Sequence, residues 1–367
     1  MNDVVQNLMR EATRLTQSGQ LQEATAAIQR ALGRAPHAAE GLGTTSAPGT
    51  GAAPPPAPEV LEGLVFELDA RTDTTPPTAF NDAPTGAGSF SGGSHSEASL
   101  TRRYKLYTPP AAAGRSLPLV VMLHGCTQDP DDFAAGTAMN QRAREQGFFV
   151  LYPAQAAEAN PQRCWNWFKH NHQQRGRGEP AVLAGMAQAV VKQHSIDPHR
   201  VYIAGLSAGG AMAAIVAASY PEIFAAVGVH SGLPHGAASN LAEALAAMQS
   251  GVADAGPRSA VPTIVFHGDQ DRTVHPRNGE QVIAAVRAGA AAPERVERGA
   301  CALGRRYTRR VHPSAAGNAA AEHWLVHGAG HAWSGGQAEG SYTDAKGPDA
   351  SREMLRFFFA HPLPPLD

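Results

Sequence analysis

The stretch VYIAGLSAGGAMA, residues 201–213, decides how the rest of the chain is read. Val201 to Leu206 is an apolar run of strand length, and the residues from Ala208 to about Ser219 suit a helix. Ser207 stands at the junction, with Gly205, Gly209 and Gly210 around it. The pattern G-x-S-x-G alone is weak in a chain with 38 glycines. Its setting carries the weight. A serine on a tight strand-to-helix turn needs glycines because the turn is strained and the helix must approach the strand closely. Such a serine also sits at a helix N-terminus, where free N–H groups and the helix dipole favour developing negative charge. We therefore read Ser207 as a nucleophile.

Strands and helices alternate on both sides of this turn. TRRYKLYTP, LPLVVMLHG and GFFVLYP read as strands, AVLAGMAQAVVKQH as a helix and RVYIAGL as the strand before Ser207. Beyond the turn, FAAVGVHSG, VPTIVFHG, RRYTRRV and AEHWLVHG read as strands. NLAEALAAMQS, NGEQVIAAVRAGA and DASREMLRFFFAH read as helices. The middle strands are continuous apolar runs, the mark of parallel strands covered on both faces. The expected fold class is α/β, a mostly parallel central sheet with helices on both sides. Ligands are then expected at the carboxyl ends of the strands.

A serine hydroxyl needs a base and an orienting acid. In this arrangement they follow the nucleophile as acid and then histidine, each on a loop after a strand. The loop DQDRTVHP offers Asp269 and Asp271; Asp271 lies further out and is preferred, with Asp269 shaping the turn. AGHAWSGG offers His331 between Gly330 and Ala332, while His327, nearer the strand, is assigned a structural role. The oxyanion hole needs two backbone donors. Ala208, after the nucleophile, supplies one; Cys126 in LHGCTQDPDDF is expected to supply the other. Trp165 and Trp167 in CWNWF, and Trp333 two residues past His331, are candidate substrate-binding aromatics, with core packing as the competing reading. RGRGEP, with Arg175, Arg177 and Glu179, is read as a self-pairing or solvated loop.

No Walker loop and no G-x-G-x-x-G after the first strand is present, so neither a nucleotide cofactor nor any other is expected. His170 and His172 form an H-x-H pair without further ligands in sight, so no metal is expected. With 30 basic and 32 acidic residues, the net charge of −2 gives no general pull toward nucleic acid. No apolar run approaches a membrane span.

Five motifs in one order, LHGCTQDPDDFA, RCWNWF, IDPHRVYIAGLSAGGAMA, VFHGDQDRTVHP and GAGHAWSGG, resemble those of the polyhydroxybutyrate depolymerase family of esterases. The resemblance covers roughly residues 85–360 and is to the type 1 catalytic domain, with the oxyanion motif ahead of the nucleophile. It implies an α/β-hydrolase fold, a triad of Ser207, Asp271 and His331, and an oxyanion hole of Cys126 and Ala208. The implied substrate is poly(3-hydroxybutyrate) or its oligomers. Feruloyl and acetylxylan esterases resemble the same domain and keep the mechanism with another ester. A granule-associated adaptor with a vestigial hydrolase fold is the reading from a different class, and the intact Ser, Asp and His set argues against it.

Outside this region, residues 1–33 are expected to form two short helices, like one tetratricopeptide unit or an extension packed on the main domain. Residues 34–58 read as a Pro/Ala/Gly linker, residues 59–367 as the catalytic domain, and 73–97 as loop-rich. The N-terminus lacks a basic-then-apolar leader, so an intracellular protein is expected, possible partners including a polymer granule surface; secretion is the alternative. Cys126, Cys164 and Cys301 are then expected as thiols, although Cys126 and Cys164 would be able to pair in an oxidising compartment.

Overall fold

Strand β3 (Leu117–Leu123) is buried along its whole length, and parity explains why it is apolar throughout. Leu119, Val121 and Leu123 enter one hydrophobic core, while Val120 and Met122 enter another on the opposite side of the sheet. A strand covered on both faces cannot alternate with polar residues. The computed structural model describes residues 86–364 apart from 98, 111, 113, 288–292, 303 and 314–318. The expectations for residues 1–33 and 34–58 lie outside the described residues.

The other strands of the main sheet are β1 (Ser89–Glu97), β2 (Leu100–Thr108), β4 (Phe149–Pro153), β5 (Ile196–Leu206), β6 (Ala226–His230), β7 (Thr263–Gly268), β8 (Arg295–Ala300), β9 (Arg306–Pro313) and β10 (Ala319–Val326). Together they form a sheet in the order β1-β2-β4-β3-β5-β6-β7-β10-β9-β8. From β4 to β10 every pairing is parallel; β1, β2, β9 and β8 add antiparallel pairs at the two edges.

Helices α3 (Gly178–Gln193), α4 (Ala208–Ser219), α5 (Leu241–Ser250) and α6 (Arg277–Arg287) contribute to the first core. Helices α1 (Pro130–Thr137), α2 (Met139–Gln146) and α7 (Ala350–Phe359) contribute to the second. The expected α/β architecture is therefore present. The chain leaves β3 for β4 on one side and returns to β5 on the other. This reversal makes a crevice at the carboxyl ends of β3 and β5, the place where such sheets bind ligands.

Three elements differ from the expectation. The supposed loop at 73–97 contains β1, whose SFSGGSHSE composition hides a strand. A Cβ at Gly93 would run into the Tyr104 ring on the paired strand, so the small residue makes room for that ring. Helix α1 lies within the supposed oxyanion loop, capped by the Asp129 carboxylate, which accepts the N–H groups of Asp131 and Asp132. With α2, it is too short to display a helical period. Strand β8 is almost wholly exposed, so it carries no apolar signal.

Candidate active site

Ser207 has φ 58° and ψ −120°, a left-handed backbone unusual for a residue with a Cβ. Strain of this kind costs roughly 1–3 kcal/mol and persists only where surroundings hold it. Here the Ser207 N–H donates to the His230 carbonyl at 2.9 Å, and the Ala211 N–H donates to the Ser207 carbonyl at 2.9 Å. The glycines make the close crossing possible. A Cβ at Gly209 would overlap the Leu123 carbonyl, and one at Gly205 would overlap the Gly209 backbone.

The loop after β7 carries Asp271, and the loop after β10 carries His331. Asp271 Oδ1 accepts the Thr273 and Val274 N–H groups, each at 2.9 Å. Its Oδ2 accepts the His331 Nδ1–H at 2.8 Å. That bond fixes the tautomer, leaving Nε2 of His331 as the basic nitrogen. Burial opposes ionisation of Asp271, but hydrogen bonding and charge from His267 and His331, with the Val274 amide, hold its carboxyl far below the usual range. His267 Nε2 lies 3.5 Å from Asp271 Oδ2 and donates to the Val274 carbonyl at 2.8 Å.

A second acid–histidine pair lies close in sequence. Asp269 Oδ2 is 2.9 Å from His327 Nδ1, and Oδ1 accepts the Gly328 N–H at 2.7 Å. Burial separates the two pairs. The side chains of Asp271 and His331 are 0% and 12% exposed, against 30% and 39% for Asp269 and His327. Asp269 thus ties two loops together at the surface.

Beyond β3, His124 turns inward. Its Nδ1 donates to the Gly125 carbonyl at 2.8 Å, its Nε2 accepts the Gln155 N–H at 3.2 Å, and burial lowers its pKa. Gln128 Oε1 accepts the Gly125 N–H at 2.9 Å and closes the loop on itself. Among the described residues, neither the Cys126 nor the Ala208 amide is bonded within the protein. Ala208 opens α4, so its N–H has no intrahelical acceptor. The expectation of free thiols is corrected here. Cys126 and Cys164 form a disulfide that ties the turn after β3 to the CWNWF loop, leaving Cys301 free.

The expected tryptophan platform is also corrected. Trp165, Trp167 and Trp333 are 0%, 4% and 1% exposed. Trp165 Nε1 donates to the His124 carbonyl at 3.1 Å, and Trp333 Nε1 donates to Ser351 Oγ at 3.1 Å. Trp333 stacks on His230 and meets Phe133 edge-on. These rings support the loops from below rather than face a ligand.

Two buried polar residues went unrecognised in the sequence. His230 closes the buried strand β6, and its Nε2 accepts the Ser334 N–H at 2.9 Å. A polar residue ending an apolar run was the available signal. Glu179, read as part of a solvated loop, is fully buried instead. Its carboxylate takes the Arg102 guanidinium at 3.2 Å, Gln155 Nε2 at 2.6 Å, and the Asn166 N–H and Nδ2 at 2.7 and 2.8 Å. Arg175 pairs with Glu222 rather than with Glu179. Among the described residues, no group of three or more His, Cys, Asp or Glu is placed to hold a metal ion.

A serine elbow after β5, an acid after β7 and a histidine after β10 on a largely parallel sheet define the α/β-hydrolase class. An acetyl xylan esterase from Aspergillus awamori has this fold: TM-score 0.60, 20% identity, covering 74% of this chain and 99% of that one. Within the class, the chain belongs to the family described as Esterase PHB depolymerase, which its residues 102–289 match. Poly(3-hydroxyalkanoate) depolymerase C of Paucimonas lemoignei is 33% identical over 190 residues, 47% of this chain and 45% of that protein. Acetylxylan esterase A of Emericella nidulans is 27% identical over 241 residues, 57% of this chain and 70% of that protein. The match thus spans less than half of the Paucimonas protein.

Proposed function

We propose that the protein is a serine esterase acting on poly(3-hydroxybutyrate) or 3-hydroxybutyrate oligomers. The observation that carries this reading is the buried Asp271–His331 hydrogen bond on the same sheet end as the strained Ser207 elbow. Ser207 Oγ attacks the ester carbonyl carbon as His331 Nε2 takes its proton. Asp271 holds the imidazole and offsets the charge that forms on it. The Cys126 and Ala208 amides donate to the tetrahedral oxyanion. As the intermediate collapses, His331 returns the proton to the leaving alcohol. Water, activated by the same nitrogen, then cleaves the acyl-enzyme and frees Ser207. Replacing Ser207 by Ala is expected to reduce ester hydrolysis by about 10³-fold or more with the fold retained. Near-normal turnover in S207A would refute the assignment.

The Paucimonas relative supports the polyester substrate, and the Emericella relative supports a second reading, an acetylxylan-type carboxylesterase. Feruloyl esterase B of Neurospora crassa, 31% identical over 141 residues, keeps the aromatic-ester variant of that reading alive. Release of 3-hydroxybutyrate from amorphous polymer and soluble oligomers, set against release of acetate from xylan and of ferulate, separates them. Faster acetate or ferulate release would move the assignment.

The Cys126–Cys164 bond supports an oxidising compartment, in place of the intracellular one expected from the N-terminus. No helix among the described residues is long and apolar enough to cross a membrane. Docking on a polymer granule is a proposal for residues 1–58, tested by whether their deletion releases the enzyme from granules while sparing soluble esters.

A further inference from the structure

Tyr342 stands where the tryptophans were expected. The residue is 47% exposed, one of three large apolar residues so exposed among the described residues. Of the other two, Leu241 opens α5 and Val296 lies on the edge strand β8. Tyr342 instead spans the two loops of the site. On one side, its carbonyl accepts the Trp333 N–H at 2.6 Å, two residues past His331. On the other, its hydroxyl lies 3.2 Å from Thr127 Oγ1, one residue past Cys126. Thr127 Oγ1–H already donates to the Cys126 carbonyl at 2.6 Å, so the tyrosine hydroxyl is the donor in this contact.

The backbone at both ends of this contact is strained. Tyr342 has φ 52° and Thr127 has φ 66°, left-handed conformations that favour glycine. A residue with a side chain persists there only where the surroundings enforce it, and such positions cluster at ligand sites. The neighbouring contacts do enforce it. Gln128 Nε2 donates to the Ser341 carbonyl at 3.2 Å, and the Ser341 N–H donates to Asp132 Oδ1 at 2.8 Å. The ring is therefore tethered through its hydroxyl beside the proposed oxyanion turn while the residue stays largely open to solvent. Core packing does not account for it, since burial has not removed the residue from solvent.

We propose that Tyr342 is the substrate-contacting residue that selects esters with an extended apolar chain, its ring packing on the chain that flanks the scissile bond. This rests on the serine-esterase reading above. A fixed aromatic ring binds aliphatic chain at little entropic cost, because its rotamer is already set. A small acetate ester is too short to use the ring fully; a hydroxybutyrate trimer or a long-acyl ester is not.

The test compares Tyr342→Phe and Tyr342→Gly with the parent on p-nitrophenyl acetate, p-nitrophenyl octanoate and the 3-hydroxybutyrate trimer. Glycine removes the ring while suiting the left-handed backbone, so the loop is not forced to move. In Y342G, the ratio of long-ester to acetate kcat/KM is expected to fall by about tenfold or more, chiefly through the long ester's KM. In Y342F, which keeps the ring, the ratio is expected to stay within about threefold. An unchanged ratio in Y342G overturns the proposal, whether both activities persist or both fall together. In the latter case Tyr342 only braces Thr127 and the oxyanion turn. If the parent fails on the trimer but cleaves the octanoate, the polyester reading fails and the ratio for the octanoate still tests the ring. If the parent cleaves no ester, or S207A retains the activity, the esterase reading fails and this inference falls with it.

Discussion

His230 and Ser334 join the two halves of the site: the imidazole Nε2 of His230 accepts the Ser334 N–H at 2.9 Å. The carbonyl of the same histidine accepts the Ser207 N–H at 2.9 Å. One residue therefore braces the elbow and the segment that follows His331. Because Nε2 is an acceptor, His230 must be neutral in this arrangement.

Replacing His230 by Phe keeps an aromatic ring between Trp333 and Phe266 but leaves the Ser334 amide buried without an acceptor. That is expected to cost about 1–3 kcal/mol in stability. It is also expected to lower kcat, with little change in KM, because the His331 loop loses its brace. Urea denaturation and steady-state kinetics check both; unaltered kcat would remove His230 from any positioning role.

The buried histidines make the fold acid-labile. Burial, with the charges of His267 and His331, lowers the pKa of His230 to about 3, against the opposing charge of Asp271. Burial, with His267 and Arg310 among its neighbours, does the same for His323. In the unfolded chain both titrate near the ordinary value of about 6.5. Between these limits the folded state binds fewer protons than the unfolded one, so stability rises with pH. The stabilisation is complete above about pH 6.5 and has fallen by about 2 kcal/mol per histidine at pH 5. Denaturation midpoints at pH 7.5 and pH 5 check this. A flat profile would mean that these rings are solvated.

The disulfide gives a redox prediction. It closes a segment with a sequence separation of 38 between the turn after β3 and the CWNWF loop. Its loss is expected to cost about 2–4 kcal/mol, largely by freeing the unfolded chain. Activity should fall as well, since the Cys126 amide is a proposed oxyanion donor. Cys126→Ser with Cys164→Ser, compared with the parent with and without reductant, measures both effects. Equal midpoints in the parent with and without reductant would show that the bond is not formed in solution.

Much of this arrangement was legible in the sequence, for stated reasons. The strand–Ser207–helix turn was readable because its glycines are needed by a crossing that no Cβ permits. Helix α4 begins at Ala208 and ends at Ser219, as expected from the small apolar run. Asp271 and His331 were separable from Asp269 and His327 only by loop position, and the structure adds burial to that distinction. The tryptophans misled because aromatic residues near a catalytic loop serve equally well beneath it. Trp165 holds up the His124 carbonyl. Tyr342 lies in a Gly/Ser-rich segment with no periodic signal, and only its left-handed backbone and exposure single it out. Glu179 was lost because one carboxylate in RGRGEP looks the same whether its partner is solvent or an arginine distant in sequence, here Arg102.

Glu179 provides the last prediction. Burial alone would raise its carboxyl, but His172 beside it and the Gln155 and Asn166 donors hold it down at about 2. The usual unfolded value is about 4.3, so the stabilisation is present above that pH and is lost as pH falls through about 2, in a lower window than the histidines occupy. Replacing Glu179 by Ala strands the Arg102 guanidinium, itself 5% exposed, and is expected to cost about 3–5 kcal/mol. The loss should also reach activity. Asn166 takes two of the carboxylate's bonds and lies between Trp165 and Trp167, two residues beyond Cys164 of the disulfide. Pairing Glu179→Leu with Arg102→Met removes both charges together and is expected to recover part of the stability. It would not recover kcat, because Asn166 still lacks its acceptor. If the double variant regains full activity, the carboxylate neutralises Arg102 and does nothing to position the CWNWF loop.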